Sequence, residues 1–208
     1  MTEAQVQQAL RNGVALAAQV RGSADIAGVG EMGIGNTTSA SALLCAFTGM
    51  DPRDSVGPGT GVDAAGVHKK AEVVKQALAL HSSVILEGNA TAILSAVGGF
   101  EIATMTGFLL GAAACRLPVV VDGFISSSAA LAARAIAPRV MDYLFFSHVS
   151  AETGHQRMLD SLGARAILNL DMRLGEGSGA AMAMPVLDGA VALYSNMATF
   201  PEAGVSEK

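Results

Sequence analysis

Four short apolar runs constrain this chain most: DIAGVG (25–30), LPVVVDGF (117–124), MDYLFFS (141–147) and ARAILNL (164–170). Each is too short for a core helix, and the unbroken valines of the second are the pattern of a strand buried on both faces. Helical periodicity fills the spaces between them. Residues 3–21 put Val6, Leu10, Val14 and Ala17 or Ala18 on one face, and SASALLCAF (39–47), 63–80, 88–97, 99–114, 126–137, 152–162 and 178–193 read as further helices. Continuous apolar strands alternating with helices predict an α/β architecture, a parallel Rossmann-like sheet with helices on both faces. Residues 1–208 are expected to form a single domain with helical flanks at 1–23 and 188–208. In such sheets ligands bind beyond the carboxyl ends of the strands.

Charge and hydropathy remove whole classes of partner. The net charge is −5, and no basic cluster is longer than Lys69-Lys70, so the electrostatic footprint of a nucleic-acid binder is missing. Hydropathy rises between residues 88 and 121, but Glu101 and Arg116 interrupt it. The 14 residues between them contain Gly107 and Gly111 and fall short of the roughly 20 needed to span a bilayer. Buried core helices, not a membrane partner, are expected. The N-terminal MTEAQVQQALRNG has neither a basic nor an apolar signal region, and Cys45 and Cys115 sit in apolar runs without metal-ligand spacing. Together these point to reduced thiols in a cytoplasmic protein.

The unusual residues fall where the strands end. GVGEMGIGNTT (28–38) follows the first run and sets Glu31 among Gly28, Gly30, Gly33 and Gly35. Gly28 to Gly33 matches GxGxxG, yet the acidic-ended second strand that a dinucleotide site requires would fall in MDPRDSVGPGTG (50–61), which reads as a loop. No GxxxxGK[ST] is present either. What remains is a general anion site: amides at a helix N-terminus, with Asn36 or Thr37 as N-cap and the hydroxyls of Thr37 and Thr38 close by. VGPGTG (56–61) is a second such loop, followed by a helix carrying Lys69 and Lys70. Either cluster alone could simply be turn chemistry.

RLGEGSGA (173–180) places Glu176 between glycines after the fourth run, the position Glu31 holds after the first. One carboxylate there could merely favour a helix N-terminus. Two aimed at one cleft suggest base catalysis or stabilisation of a cation. Asp122-Gly123-Phe124 and Ser147 to Ser150 end the other two runs. His148 and His155 could share a helix face, but no third ligand completes a metal site, so no metal is expected. His68 and His81 read as surface helix residues. Ser126-Ser127-Ser128 reads as an N-cap cluster, and the GxSxG of a serine hydrolase is absent.

Taken together, GEMGIGNTTSASALL, VGPGTGVD, AVGGFEIATMTGFLLGAA, PVVVDGFISSSAAL, DYLFFSHVSAETGH and LDMRLGEGSGAAMAMPVL closely resemble the nicotinate-nucleotide–dimethylbenzimidazole phosphoribosyltransferase family. The resemblance runs from about Asp25 to Leu187 in family order. It implies transfer of the phosphoribosyl group of nicotinate mononucleotide to a benzimidazole nitrogen, with anomeric inversion, giving α-ribazole 5′-phosphate for the lower ligand of cobalamin. Glu176 is implied as the base and Glu31 as the second carboxylate. Gly33, Gly35, Asn36, Thr37, Gly59, Gly61, Lys70, Asp122, Ser147, Ser150 and Gly175 are implied around phosphate and sugar, with Met32 and Leu174 as walls for the aromatic base. The resemblance also implies a homodimer and no cofactor. Family members are longer at the N-terminus, which leaves as the alternative a catalytically incomplete module of the same fold that holds a mononucleotide.

Overall fold

The computed structural model describes residues 1–57 and 63–204. Gly59 and Gly61 lie outside the described residues. The four runs become β1 (Ala27–Val29), β2 (Val119–Val121), β3 (Leu144–His148) and β4 (Ala166–Leu168), all parallel and in spatial order β1-β2-β3-β4. Register aligns Val29, Val121, Phe146 and Ala166 across the sheet, and His148 with Leu168. The carboxyl ends of the strands therefore lie side by side.

The alternation of side chains divides the sheet into two faces. Ala27, Val29, Val119, Val121 and Phe146 enter the main core with α2 (Thr37–Thr48), α6 (Ala90–Val97), α7 (Phe100–Ala114), α8 (Phe124–Ile136) and α9 (His155–Leu162). Val120 points the other way, onto Ala180 and Ala183 of α10 (Ser178–Asn196). A Cβ on Gly28 would lie 3.2 Å from Met184 and 3.3 Å from Ala180, so a small residue there lets α10 sit low on β1.

The first helix, α1 (Glu3–Val20), opens with a reciprocal cap: the Gln5 amide donates to Thr2 Oγ1 and the Thr2 amide donates to Gln5 Oε1. It packs along α7 backbone to backbone. A Cβ on Gly107 would overlap the carbonyl of Leu10, and one on Gly13 would overlap that of Thr104. Gly13 of α1 and Gly107, inside the hydropathic rise, are thus contact points between two helices.

Several local expectations need correction. The stretch 50–61 contains a short helix, α3 (Pro52–Ser55), started by Asp51, whose carboxylate accepts from the Arg53 amide, with proline at the first helical position. Two further helices precede α6: α4 (Ala64–Leu80), as expected, and an unforeseen α5 (Ser82–Glu87) ended by Gly88 at φ +70°. Residues Pro138–Tyr143 form a 3-10 turn, so the third strand begins at Leu144 instead of Met141. Ser126, Ser127 and Ser128 do not cap a helix. They lie buried inside α8, which begins at Phe124.

Candidate active site

The loops after β1, β2, β3 and β4 enclose a cavity of about 300 Å³. Glu31, Met32, Gly33, Thr37, Asp122, Ser150, Leu174 and Gly175 line it, all of them singled out in the sequence. Gly123, Phe124 and His148, noted in the sequence as parts of strand-end segments, line it as well, as do Ile125, Glu152 and Arg173, which were not singled out as site residues. Two signals pointed to them: Gly123 and Phe124 follow β2 directly, and Arg173 stands three residues before Glu176.

The glycine loop after β1 is folded around its own carboxylate. The Gly33 amide and Asn36 Nδ2 both donate to Glu31 Oε2, the latter at 2.7 Å. Gly33 and Gly35 sit at φ +81° and +80°, where a side chain would be strained. Asn36 precedes α2, but its side chain makes no cap bond: its Nδ2 donates to Glu31 and its buried Oδ1 accepts from no described group. Burial pushes the Glu31 carboxyl above the usual range, with the bonds from Asn36 and Gly33 opposing and the charges of Glu101 and Asp122 adding.

The loop after β4 is pressed onto that carboxylate loop. The Glu176 amide donates to the Glu31 carbonyl at 2.7 Å, and a Cβ on Gly30 would overlap the backbone of Gly177. Gly175, Glu176 and Gly177 lie consecutively at φ +78°, +57° and +77°. A glutamate in left-handed geometry between two glycines is a strained arrangement of the kind that collects at functional sites. Glu176 itself is exposed and, unlike its neighbour Gly175, is not among the residues that line the cavity.

Asp122 holds this loop from below. Its Oδ2 accepts from the Gly177 amide and its Oδ1 from the Ala180 amide, each at 3.0 Å. Gly177, the N-cap of α10, has no side chain to do this. A buried aspartate at the end of β2 therefore caps a helix far along the chain and fixes the base of the Glu176 loop. The substrate-facing part expected of Asp122 is accompanied by a structural one.

Two buried histidines meet here, of which His148 lines the cavity. His148 ends β3 and His155 begins α9, so they do not share a helix face; their rings meet edge to face at 6.3 Å. The Ser150 amide donates to His155 Nδ1 at 2.8 Å, which leaves His155 Nε2 to donate to Ser127 Oγ at 3.0 Å. Burial and the neighbouring His148 lower the His155 pKa to about 3. His148 is also lowered by burial, with Asp122 opposing.

The remaining expected residues lie apart from the lining. Ser147 is fully buried with its hydroxyl on the Asp122 carbonyl at 2.6 Å, so it supports the floor and does not face the cavity. Lys70 lies on α4, its Nζ 3.4 Å from the Gly57 carbonyl. Gly35 shapes the turn, and Asn36 holds Glu31. Among the described residues, no group of three or more His, Cys, Asp or Glu side chains has a metal-binding arrangement, and no helix is long and apolar enough to cross a membrane.

The chemistry of this arrangement is dipolar. The N-termini of α2 and α8 face the cavity through Thr37 and Phe124, and that of α10 adjoins it through Gly175, so amide dipoles favour an anion. Glu31 on the wall favours a cation or accepts a proton. Arg173 is the one cationic side chain lining the cavity among the described residues.

Known proteins share this arrangement of elements. The family model described as phosphoribosyltransferase matches residues 1–205. The nicotinate-nucleotide–dimethylbenzimidazole phosphoribosyltransferase of Solidesulfovibrio magneticus is 50% identical over 208 residues, 100% of this chain and 59% of that relative. The enzyme of that name from Pelodictyon phaeoclathratiforme is 51% identical over 209 residues, 100% of this chain and 58% of the relative. The crystal structure of CobT from Thermus thermophilus matches with a TM-score of 0.92 at 41% identity, covering 100% of this chain and 62% of that one. The chain thus spans about three fifths of the length of the curated relatives it matches.

Proposed function

The chain belongs to the phosphoribosyltransferase family matched over residues 1–205, and from that premise we propose that it moves the 5-phosphoribosyl group from nicotinate mononucleotide to 5,6-dimethylbenzimidazole. In this reading the bond from C1′ to the pyridinium nitrogen breaks and its electrons neutralise that nitrogen. A benzimidazole nitrogen bonds C1′ from the opposite face, and its other nitrogen gives up a proton. The products are α-ribazole 5′-phosphate and nicotinate.

The observation that carries this reading is the backbone bond between the two carboxylate loops, Glu176 to Glu31. It joins the loop of Glu176 to that of Glu31, a residue that lines a cavity bordered by helix N-termini, and this supports a substrate that is anionic at its phosphate and cationic at its pyridinium. Glu176 takes the benzimidazole proton, and Glu31 faces the developing charge on the sugar. Gly33, Thr37 and Ser150, with Lys70, Gly59 and Gly61, grip the phosphate, while Met32 and Leu174 flank the base. Residues 1–208 act as one α/β domain of a cytoplasmic homodimer. Exposed apolar side chains on and after α10, including Met182, Val191, Leu193, Tyr194 and Phe200, support the dimer.

One observation favours a second reading, a module that holds the mononucleotide without completing transfer. Met32 and Leu174 are 65% and 69% exposed, so the acceptor side is open to water. Incubating the chain with nicotinate mononucleotide and 5,6-dimethylbenzimidazole and assaying α-ribazole 5′-phosphate by mass spectrometry separates the two. Product supports transfer; donor binding without product supports the holding module.

A further inference from the structure

The hydrogen bonds beneath the cavity determine which nitrogen of His148 carries its proton. Ser147 Oγ lies 2.6 Å from the Asp122 carbonyl, an oxygen that can only accept, so the single hydroxyl proton points there. The same Oγ lies 2.9 Å from His148 Nδ1. With the hydroxyl proton already engaged, that contact is attractive only if Nδ1 carries the proton and donates. The Asp122 carboxylate, 3.8 Å from Nδ1, favours a proton on that nitrogen. The backbone of α10 presses on the same edge, for a Cβ on Gly179 would overlap Nδ1. In a neutral ring the other nitrogen, Nε2, is then a bare acceptor.

That acceptor has no partner among the described residues. The Nε2 and Cε1 edge lies beside Gly123, where a Cβ would stand 3.7 and 3.5 Å away, and Gly123 and His148 both line the cavity. The ring is otherwise buried, with its side chain 2% exposed. An acceptor held in one tautomer on the wall of a cavity is placed to receive a donor from a ligand.

Resting on the function proposed above, we propose that His148 Nε2 accepts a hydrogen bond from a ribose hydroxyl of the phosphoribosyl donor and orients the sugar for displacement at C1′. The substrate's chemistry leaves few other choices. The ionised phosphate and the nicotinate carboxylate offer only acceptors, and the acceptor base's single N–H is the proton that the proposed transfer removes. The sugar hydroxyls are the remaining donors. Ser147 and Asp122 act through His148 here, as positioning residues.

The test compares nicotinate mononucleotide with its 2′-deoxy and 3′-deoxy analogues by calorimetric binding to the 208-residue chain and to His148→Phe. One analogue is expected to bind the unaltered chain roughly three- to tenfold more weakly than the natural donor, the loss of one hydrogen bond. His148→Phe is expected to bind the natural donor that much more weakly and to lose the discrimination. Equal binding of all three donors by the unaltered chain, or discrimination that survives in His148→Phe, overturns the assignment. Should the variant not fold, nitrogen NMR of the histidine-labelled unaltered chain decides. A protonated Nδ1 and a bare Nε2 whose resonance moves on adding donor are expected; a protonated Nε2, or one unmoved by donor, overturns it. If the unaltered chain binds no donor at all, the function proposed above fails and this assignment with it, whereas binding without discrimination removes only the role of His148.

Discussion

The main-chain amide of Glu176 donates to the carbonyl oxygen of Glu31 across 2.7 Å, so the two acidic loops are joined by backbone and not by their side chains. The spacing of the two loops is held without using either carboxylate, and that of Glu31 is held separately by the Gly33 amide and Asn36. The loop after β4 must be left-handed for three residues to reach this position, and the middle residue is the one that bears a side chain.

That strain makes Glu176→Gly informative. Removing a left-handed side chain returns about 1–2 kcal/mol, offset by roughly 0.5–1 kcal/mol for the greater freedom of glycine in the unfolded chain. The variant is expected to melt at the same temperature as the parent, or slightly higher, while phosphoribosyl transfer is lost. A fully active Glu176→Gly would remove the glutamate from the chemistry.

Asp122→Ala leaves the Gly177 and Ala180 amides without their buried acceptor. A loss of about 2–4 kcal/mol in urea unfolding is expected from two charge-assisted bonds. Turnover should fall even at temperatures where the variant is folded, because the Glu176 loop loses its anchor. Stability within about 0.5 kcal/mol of the parent would contradict the capping role.

The pH dependence has an acid limb set by the buried histidines. His155 is lowered to about 3 and His148 is lowered in the same direction. The unfolded chain takes up these protons below the ordinary histidine value, near 6.5, while the folded chain refuses them. Stability is therefore present above that value and is lost as pH falls toward 3, at up to about 1.4 kcal/mol per pH unit for each histidine. Urea midpoints measured between pH 7 and 4 should decline accordingly; a flat profile would contradict it.

Glu31 acts in the opposite sense. Its raised pKa means that the folded chain keeps a proton that the unfolded chain has released. Its contribution to stability therefore falls as pH rises from the ordinary carboxylate value through the raised one. Glu31→Gln keeps an acceptor for the Gly33 amide and Asn36 and does not ionise. Its stability advantage over the parent should grow across that window, and an advantage constant with pH would count against the shift.

Gly107→Ala tests the helix contact that carries the core. A methyl group there meets the Leu10 carbonyl, and the resulting shift should cost about 1–3 kcal/mol, read as a lower denaturant midpoint. The same change at Gly22, with nothing within 4 Å, should be tolerated.

The sheet was legible in the sequence because a buried parallel strand must be apolar on both faces, and LPVVVDGF can be little else. The loops at the strand ends were legible for a related reason: glycine and acidic residues interrupt apolar runs only where the chain leaves the core. Glu31, Gly33 and Gly175 could thus be placed at one edge from the pattern of residues alone. The small helices Pro52–Ser55 and Ser82–Glu87 were not, being too short to develop a period.

What only the tertiary structure decided is who meets whom. No local pattern says that Asp122 caps a helix that begins at Ser178, or that Ser147 holds the proton of His148 in place. Buried hydrogen bonds pair groups distant along the chain, and the residue types that make them, Asp, Ser and His, are equally common in turns and on surfaces. Local sequence determined strands, turns and the edge where they converge, because those follow from the polarity and backbone freedom of neighbouring residues. The order of support beneath the cavity followed from packing, because burial without water obliges each polar atom to find its partner wherever the fold brings one.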